Sequence, residues 1–162
     1  MFGFKEAEHF GDFPEGGGYP HRFLTYAYER MGVTKPSQVL HVCSGSMATG
    51  VTVDIRPVCT PRVVADARHL PFRDNTFQWM LCDPPYSADY AENLYGTGSS
   101  YPSPHQLVNE CLRVLQVGGH LGFMHHMVPK FHKPGRMVGV WGITQGPGYN
   151  IRAWTLFTKD GA

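Results

Sequence analysis

The sequence has no run of about 18 apolar residues and no charged-then-apolar leader. The expectation is therefore a cytoplasmic chain that neither spans a membrane nor is exported. Excess charge of one sign is also missing: 14 Lys plus Arg against 13 Asp plus Glu leave a formal net charge of +1. That balance gives no global field to draw in a polyanion, although a local basic patch can sit inside it. The 4 cysteines, Cys43, Cys59, Cys82 and Cys111, form no C-x-x-C pair and are read as reduced thiols. His125, His126 and His132 have no Cys or acidic residue beside them at zinc spacing, so no metal is expected. No G-x-G-x-x-G follows the first buried strand, which counts against a dinucleotide-dependent oxidoreductase. Repeats and a second domain are absent too, leaving 1–162 as a single domain.

What is present is globular in character, with 42% hydrophobic and 17% charged residues over 162 positions. Residues 1–19 read as a polar and aromatic leader carrying Gly16-Gly17-Gly18 before Tyr19-Pro20. Phe23, Leu24, Ala27, Tyr28 and Met31 recur at helical spacing before Gly32, predicting a helix over 20–31. Glycines ahead of a helix let a ligand carboxylate or phosphate approach bare N–H groups; a flexible leader before a packing helix is the plainer alternative.

Four short apolar runs follow: Val39–Cys43, Val51–Ile55, Val63–Ala65 and Phe77–Cys82. Each ends in a small or acidic residue, namely Ser44-Gly45-Ser46, Asp54, Asp66-Ala67 and Asp83. Such runs predict an α/β sheet with strand ends on one edge, where ligands of these sheets bind. Residues 87–103 show no clear period and read as a long loop, one fit to be functional or mobile. Ser103, Pro104 and Gln106 then predict a capped helix with Leu107, Val108, Cys111, Leu112 and Leu115 on its buried stripe, ended by Gly118-Gly119. A fifth strand is expected over 120–127, and two β-rich runs, 137–144 and 151–158, flank a Gly/Pro turn as a hairpin. Trp141 and Trp154 read as core or hairpin packing, and Lys130, His132, Lys133 and Arg136 as a modest basic stretch near the predicted substrate edge, either a phosphate contact or a solvated surface loop.

The most informative stretch is Asp83-Pro84-Pro85-Tyr86. Two prolines stop the strand because they lack N–H groups and hold φ near about −65°. Their carbonyls stay free beside a carboxylate and a flat ring, a set suited to a planar group bearing NH2. A strand-ending turn is the plain alternative, since Asp and Pro are ordinary turn residues.

Taken together, Cys43-Ser44-Gly45-Ser46, Asp54, Asp66-Ala67 and Asp83-Pro84-Pro85-Tyr86 resemble class I S-adenosylmethionine-dependent methyltransferases, and within them the DPPY-type amino-methyltransferases of DNA adenine N6 or cytosine N4. The resemblance spans roughly 16–158. It implies a Rossmann-like α/β fold: a mostly parallel sheet with a C-terminal antiparallel hairpin. It further implies that Cys43, Ser44, Gly45 and Ser46 lie against S-adenosylmethionine, that Asp54 binds its ribose hydroxyls and that Asp66 and Ala67 flank its adenine. The Gly16–Tyr19 loop, with Gly18 and Tyr19 as its binding residues, would approach its methionine part. Asp83 and the Pro84 carbonyl would accept the two hydrogens of the target amine, and Tyr86 would stack on the base, which must be flipped or single-stranded. Pro85 completes the clamp.

Three departures stand out. His41 replaces the usual acid of the first strand, Met47 replaces the second glycine of the turn, and only Ser44 to Gly50 separate the first two strands. A parallel crossover takes about a dozen residues or more, so the first crossover helix is expected to be missing. The acceptor implied is nucleic acid, DNA ahead of RNA. RNA or a small molecule is the alternative, as is a cofactor-binding module of little activity. With only 87–103 available to read a target, low sequence specificity, a very short target or recognition shared with another subunit is expected, and the assembly expected is a homodimer.

Overall fold

β-Branched and aromatic side chains fit a pleated, half-buried surface, and the short runs rich in them set the sheet of this protein. The computed structural model describes residues 5–9, 19, 22–96 and 101–161, with the side chains of 5–9, 90, 94 and 95 outside that description. Its strands are β1 (Lys5–His9), β2 (Leu40–Val42), β3 (Val51–Asp54), β4 (Val63–Val64), β5 (Phe77–Cys82), β6 (Leu115–His125), β7 (Gly135–Thr144) and β8 (Arg152–Lys159). They form one sheet in the order β1-β7-β8-β6-β5-β2-β3-β4. β4, β3, β2, β5 and β6 are mutually parallel, while β8 runs antiparallel to both β6 and β7. The carboxyl ends of five strands therefore share one edge, and the first residue of β8 lies on it.

Helices α1 (Phe23–Met31) and α3 (Pro104–Val114) cover opposite faces. Alternation along β5 shows the division: Met80 and Cys82 join the cluster of α3, and Leu81 joins that of α1 with Met124 and Trp154. Trp154 is fully buried and packs its ring 5.1 Å from Trp141, the packing role expected of both. Helix α3 starts as its sequence dictates, with the Ser103 hydroxyl accepting from the Gln106 N–H at 3.2 Å and Pro104 at the first position.

Between β2 and β3 there is no helix, as expected; residues 43–50 form a bare connection. A strand of 3 residues spans only about 10 Å, so a short loop can return the chain to the start of a parallel neighbour. Gly50 makes that closure possible. A Cβ there would lie 2.5 Å from the Val39 carbonyl oxygen and 2.8 Å from the His41 ring, and its φ of +85° favours glycine.

Four expectations need correction. Helix α1 is described from Phe23, after Arg22 in a left-handed conformation, rather than from residue 20. The stretch 87–103 holds helix α2 (Ala88–Tyr95), whose Ala91 N–H bonds the Ser87 carbonyl; its one apolar side chain known to be buried is too little to set a period. Gly118-Gly119 do not end a helix. Strand β6 already begins at Leu115, and they lie in a bulge where a Gly119 Cβ would meet the Gln78 carbonyl oxygen at 2.8 Å. Finally, Lys5–His9 in the leader forms edge strand β1 beside β7, although KEAEH has little strand propensity.

Candidate functional site

Each acid at the shared edge ends its strand, and the backbone ties the ends into one row. The Asp83 N–H bonds the Val42 carbonyl at 3.3 Å, linking β5 to β2, and the Ala65 N–H bonds the Asp54 carbonyl at 3.1 Å, linking β4 to β3. After β2 the chain turns through Cys43 (φ 56°) and Gly45 (φ 54°), both left-handed. Cys43 thus holds a conformation that costs a non-glycine residue roughly 1 kcal/mol. Ser44 is buried with its N–H on the Val53 carbonyl, and Ser46 is exposed. The Gly45 N–H donates to Asp54 Oδ2 at 2.9 Å, bringing together the expected turn and the expected acid.

Asp54, 4% exposed, is heavily engaged. Arg56 donates its backbone N–H and Nε to Oδ1 at 2.9 and 3.0 Å and Nη2 to Oδ2 at 3.2 Å. Asp66 repeats the arrangement, with Arg68 donating its backbone N–H, Nε and Nη2 to the carboxylate. Those hydrogen bonds hold the Asp66 carboxyl below its ordinary range. Ala67 packs into the core beneath, with Leu70. Asp-x-Arg therefore occurs twice, an acid and its own guanidinium partner two residues on.

Asp83 differs. It is half-buried just past the end of β5, and desolvation raises its carboxyl from 3.8 to about 6, opposed by the charge of Arg152 and a hydrogen bond from Tyr86. The Tyr86 hydroxyl donates to Asp83 Oδ1 at 3.1 Å and accepts from Arg152 Nη1 at 3.2 Å. Oδ2 of Asp83 has no partner among the described residues. Pro84 is buried and Pro85 half-buried. The Tyr86 ring does not offer both faces for stacking: His126 lies 4.2 Å away at 32°, and His125 meets it edge-on at 5.4 Å. Both imidazoles are pushed toward neutrality, His125 to about 4, chiefly by burial. The hydroxyl of Tyr101, beyond α2, donates to the Tyr86 carbonyl at 3.2 Å.

On the α1 face, buried His41 replaces the expected acid, with Tyr28 Oη 3.1 Å from its Nε2 and its Nδ1 unpartnered among the described residues. Burial lowers its imidazole to about 4, so it is neutral. The Tyr19 ring lies 5.9 Å from that of His41, and its buried hydroxyl also lacks a partner among the described residues. Met47 packs against the α1 cluster. Gly18 lies outside the described residues. The basic stretch divides: Arg136 is the second residue of β7, at the opposite edge, and pairs with Asp160 at 3.0 Å, and His132 contacts His105. Among the described residues no cluster of three or more His, Cys, Asp or Glu is arranged for a metal. No described helix is long and apolar enough to cross a membrane.

No protein-family model and no curated protein sequence matches the chain. Solved structures do match in fold. The protein bound to the Trm112 methyltransferase activator of Haloferax volcanii superimposes with a TM-score of 0.60 at 12% identity, over 86% of this chain and 89% of that one. TrmN from Thermus thermophilus gives 0.58 at 16% identity over 83% of this chain, which spans 47% of its length. The fold is that of the class I methyltransferases. The methyltransferase fold does not fix a reaction, because the [4+2]-cyclase SpnF shares it at a TM-score of 0.55 and 13% identity, over 96% and 88% of the two chains. In this methyltransferase fold, the residues that sequence reasoning missed are Arg152, His125, His126 and Tyr101 around Tyr86, and Arg56 and Arg68 on the two acids.

Proposed function

We propose that this protein transfers a methyl group from S-adenosylmethionine to an exocyclic amine of a nucleobase, adenine N6 or cytosine N4, in DNA ahead of RNA. The observation that carries the reading is Asp83: a half-buried carboxylate just past the end of β5, raised by desolvation, with one oxygen engaged by Tyr86. An aryl amine is a poor nucleophile because its lone pair is delocalised into the ring. Asp83 Oδ2 and the Pro84 carbonyl would accept its two hydrogens, draw the lone pair out of conjugation and stabilise the positive charge that develops on nitrogen. With its carboxyl near 6, Asp83 is ionised at neutral pH and basic enough to take the proton that the methylated amine sheds.

S-Adenosylmethionine would supply the methyl, already activated on sulfonium. The residues present fit it. Gly45 lets the chain turn closely at the end of β2, Asp54 offers a carboxylate for ribose hydroxyls, and Asp66 one for the adenine amine. The Tyr19 hydroxyl and His41 Nδ1, without partners among the described residues, are buried polar atoms that a ligand's amino-acid end would satisfy. Arg56 and Arg68 must then share or release their acids. Because 87–103 is short for target reading, recognition is proposed to be of low specificity, to take a very short target, or to be shared with a partner subunit; a fold neighbour is itself found in complex with a methyltransferase activator.

The test is incubation with labelled S-adenosylmethionine and, separately, duplex DNA, single-stranded DNA, bulk RNA or no acceptor, with Asp83→Ala alongside. Label on DNA that vanishes in the variant supports the reading. Label on RNA alone would sink the DNA assignment, and cofactor binding without transfer would mark a silent module.

A further inference from the structure

We infer that Arg152 is the positioning residue of the Asp83–Tyr86 clamp, reaching across the end of β6 to fix the Tyr86 hydroxyl on one oxygen of Asp83 and leave the other for the acceptor. The inference rests on the proposed role of Asp83. Arg152 is the first residue of β8, which is separated from β5 by β6, so its contact with Tyr86 bridges two strand spacings, roughly 10 Å. It is 6% exposed, and a guanidinium so buried needs partners. One of them is the Tyr86 hydroxyl at 3.2 Å.

Arginine has only donors. The Tyr86 oxygen must therefore accept from Nη1, and its proton is directed to Asp83 Oδ1 at 3.1 Å. A hydroxyl that would otherwise rotate is given one orientation, and the carboxylate keeps Oδ2 for an amine hydrogen. The same charge opposes the desolvation of Asp83. The groups facing this carboxylate are Tyr19 ahead of α1, Tyr86 on the turn after β5, and Arg152 from β8. His126 at the end of β6 faces Arg152, which helps to keep it uncharged. Arg152 is thus the cation holding Asp83 in its acceptor form among these residues, and it lies 66 residues from Tyr86 in sequence.

The experiment is a pH titration of the aspartate carboxyl carbons by 13C NMR in the full chain without cofactor or acceptor, with Asp83 assigned through Asp83→Asn. In the unmodified protein Asp83 should titrate near pH 6. Arg152→Gln should raise that midpoint by about one unit or more, the usual effect of losing an opposite charge at close range. Arg152→Lys should restore most of the shift, and Tyr86→Phe should raise the midpoint by less than Arg152→Gln. An unmoved Asp83 in Arg152→Gln overturns the inference; if that variant does not fold, an unmoved Asp83 in Tyr86→Phe does so. A drop in Tm with unchanged titration marks a merely structural arginine and also overturns it. The titration needs no methyl transfer, so failure of the proposed function leaves this result readable.

Discussion

The acids along the sheet edge are held in two contrasting ways. On the β3–β4 side, Asp54 and Asp66 are each neutralised by an arginine two residues on, within one turn of chain. On the β5 side, Asp83 depends on a hydroxyl from its own turn and a guanidinium from the far hairpin. Local pairing stabilises a carboxylate as an anion and holds it where it is. Desolvation raises Asp83 to about 6 and the long-range pairing offsets that only in part, leaving the carboxylate able to exchange protons near neutrality. The first arrangement suits binding a fixed ligand group; the second suits chemistry.

The largest expected effect separates the two sides by activity. Asp83→Asn should lower methyl transfer about a hundredfold or more while leaving cofactor affinity within a few fold, because the loss falls on the transition state. Asp54→Asn should do the reverse, weakening S-adenosylmethionine binding about tenfold, read by calorimetry, with Arg56 and the Gly45 N–H left partly unsatisfied. Equal loss of binding in both variants would erase the distinction.

A second contrast is in sign with pH. Asp83 has a raised carboxyl, so the folded state holds more protons than the unfolded between about 6 and 3.8, and stability from this group increases as pH falls through that window. At pH 8 the partly desolvated charge is a liability, and Asp83→Asn should be more stable than the unmodified protein by on the order of 1–2 kcal/mol in denaturant unfolding. Asp66 is lowered, so its contribution is present above its ordinary value and is lost as pH falls through the lowered one. Asp66→Asn should therefore be neutral or destabilising at pH 8. Transfer itself should decline below about pH 6 as Asp83 protonates.

The smallest effect is expected at Arg68, whose pair with Asp66 is solvent-accessible on both sides. Arg68→Gln should leave Tm unchanged within error, while Arg56→Gln should change cofactor affinity measurably because it frees oxygens of a buried acid. If both substitutions behave alike, the two Asp-x-Arg pairs are equivalent and neither guards a ligand site.

The same contrast explains what the sequence made legible. Asp54, Asp66 and Asp83 could be placed on one sheet edge because each closes an apolar strand run, and the missing crossover followed from the few residues between Cys43 and Val51. Helix α3 was legible from Ser103-Pro104 because capping is local chemistry. Arg152 was not, since its partner is decided by the antiparallel return of β8 rather than by spacing. Gly118-Gly119 misled because a strand bulge and a helix stop both recruit glycine. Lys5–His9 pairs through its backbone at a sheet edge, where side-chain pattern carries little information.

The central claim is that Asp83 directs methyl transfer to an exocyclic amine. Mass spectrometry of nucleosides released from DNA after incubation with S-adenosylmethionine tests it directly. The account predicts N6-methyladenine or N4-methylcytosine with the unmodified protein and neither with Asp83→Asn. A methyl group on ring carbon or ring nitrogen, or amine methylation that persists in Asp83→Asn, would contradict it.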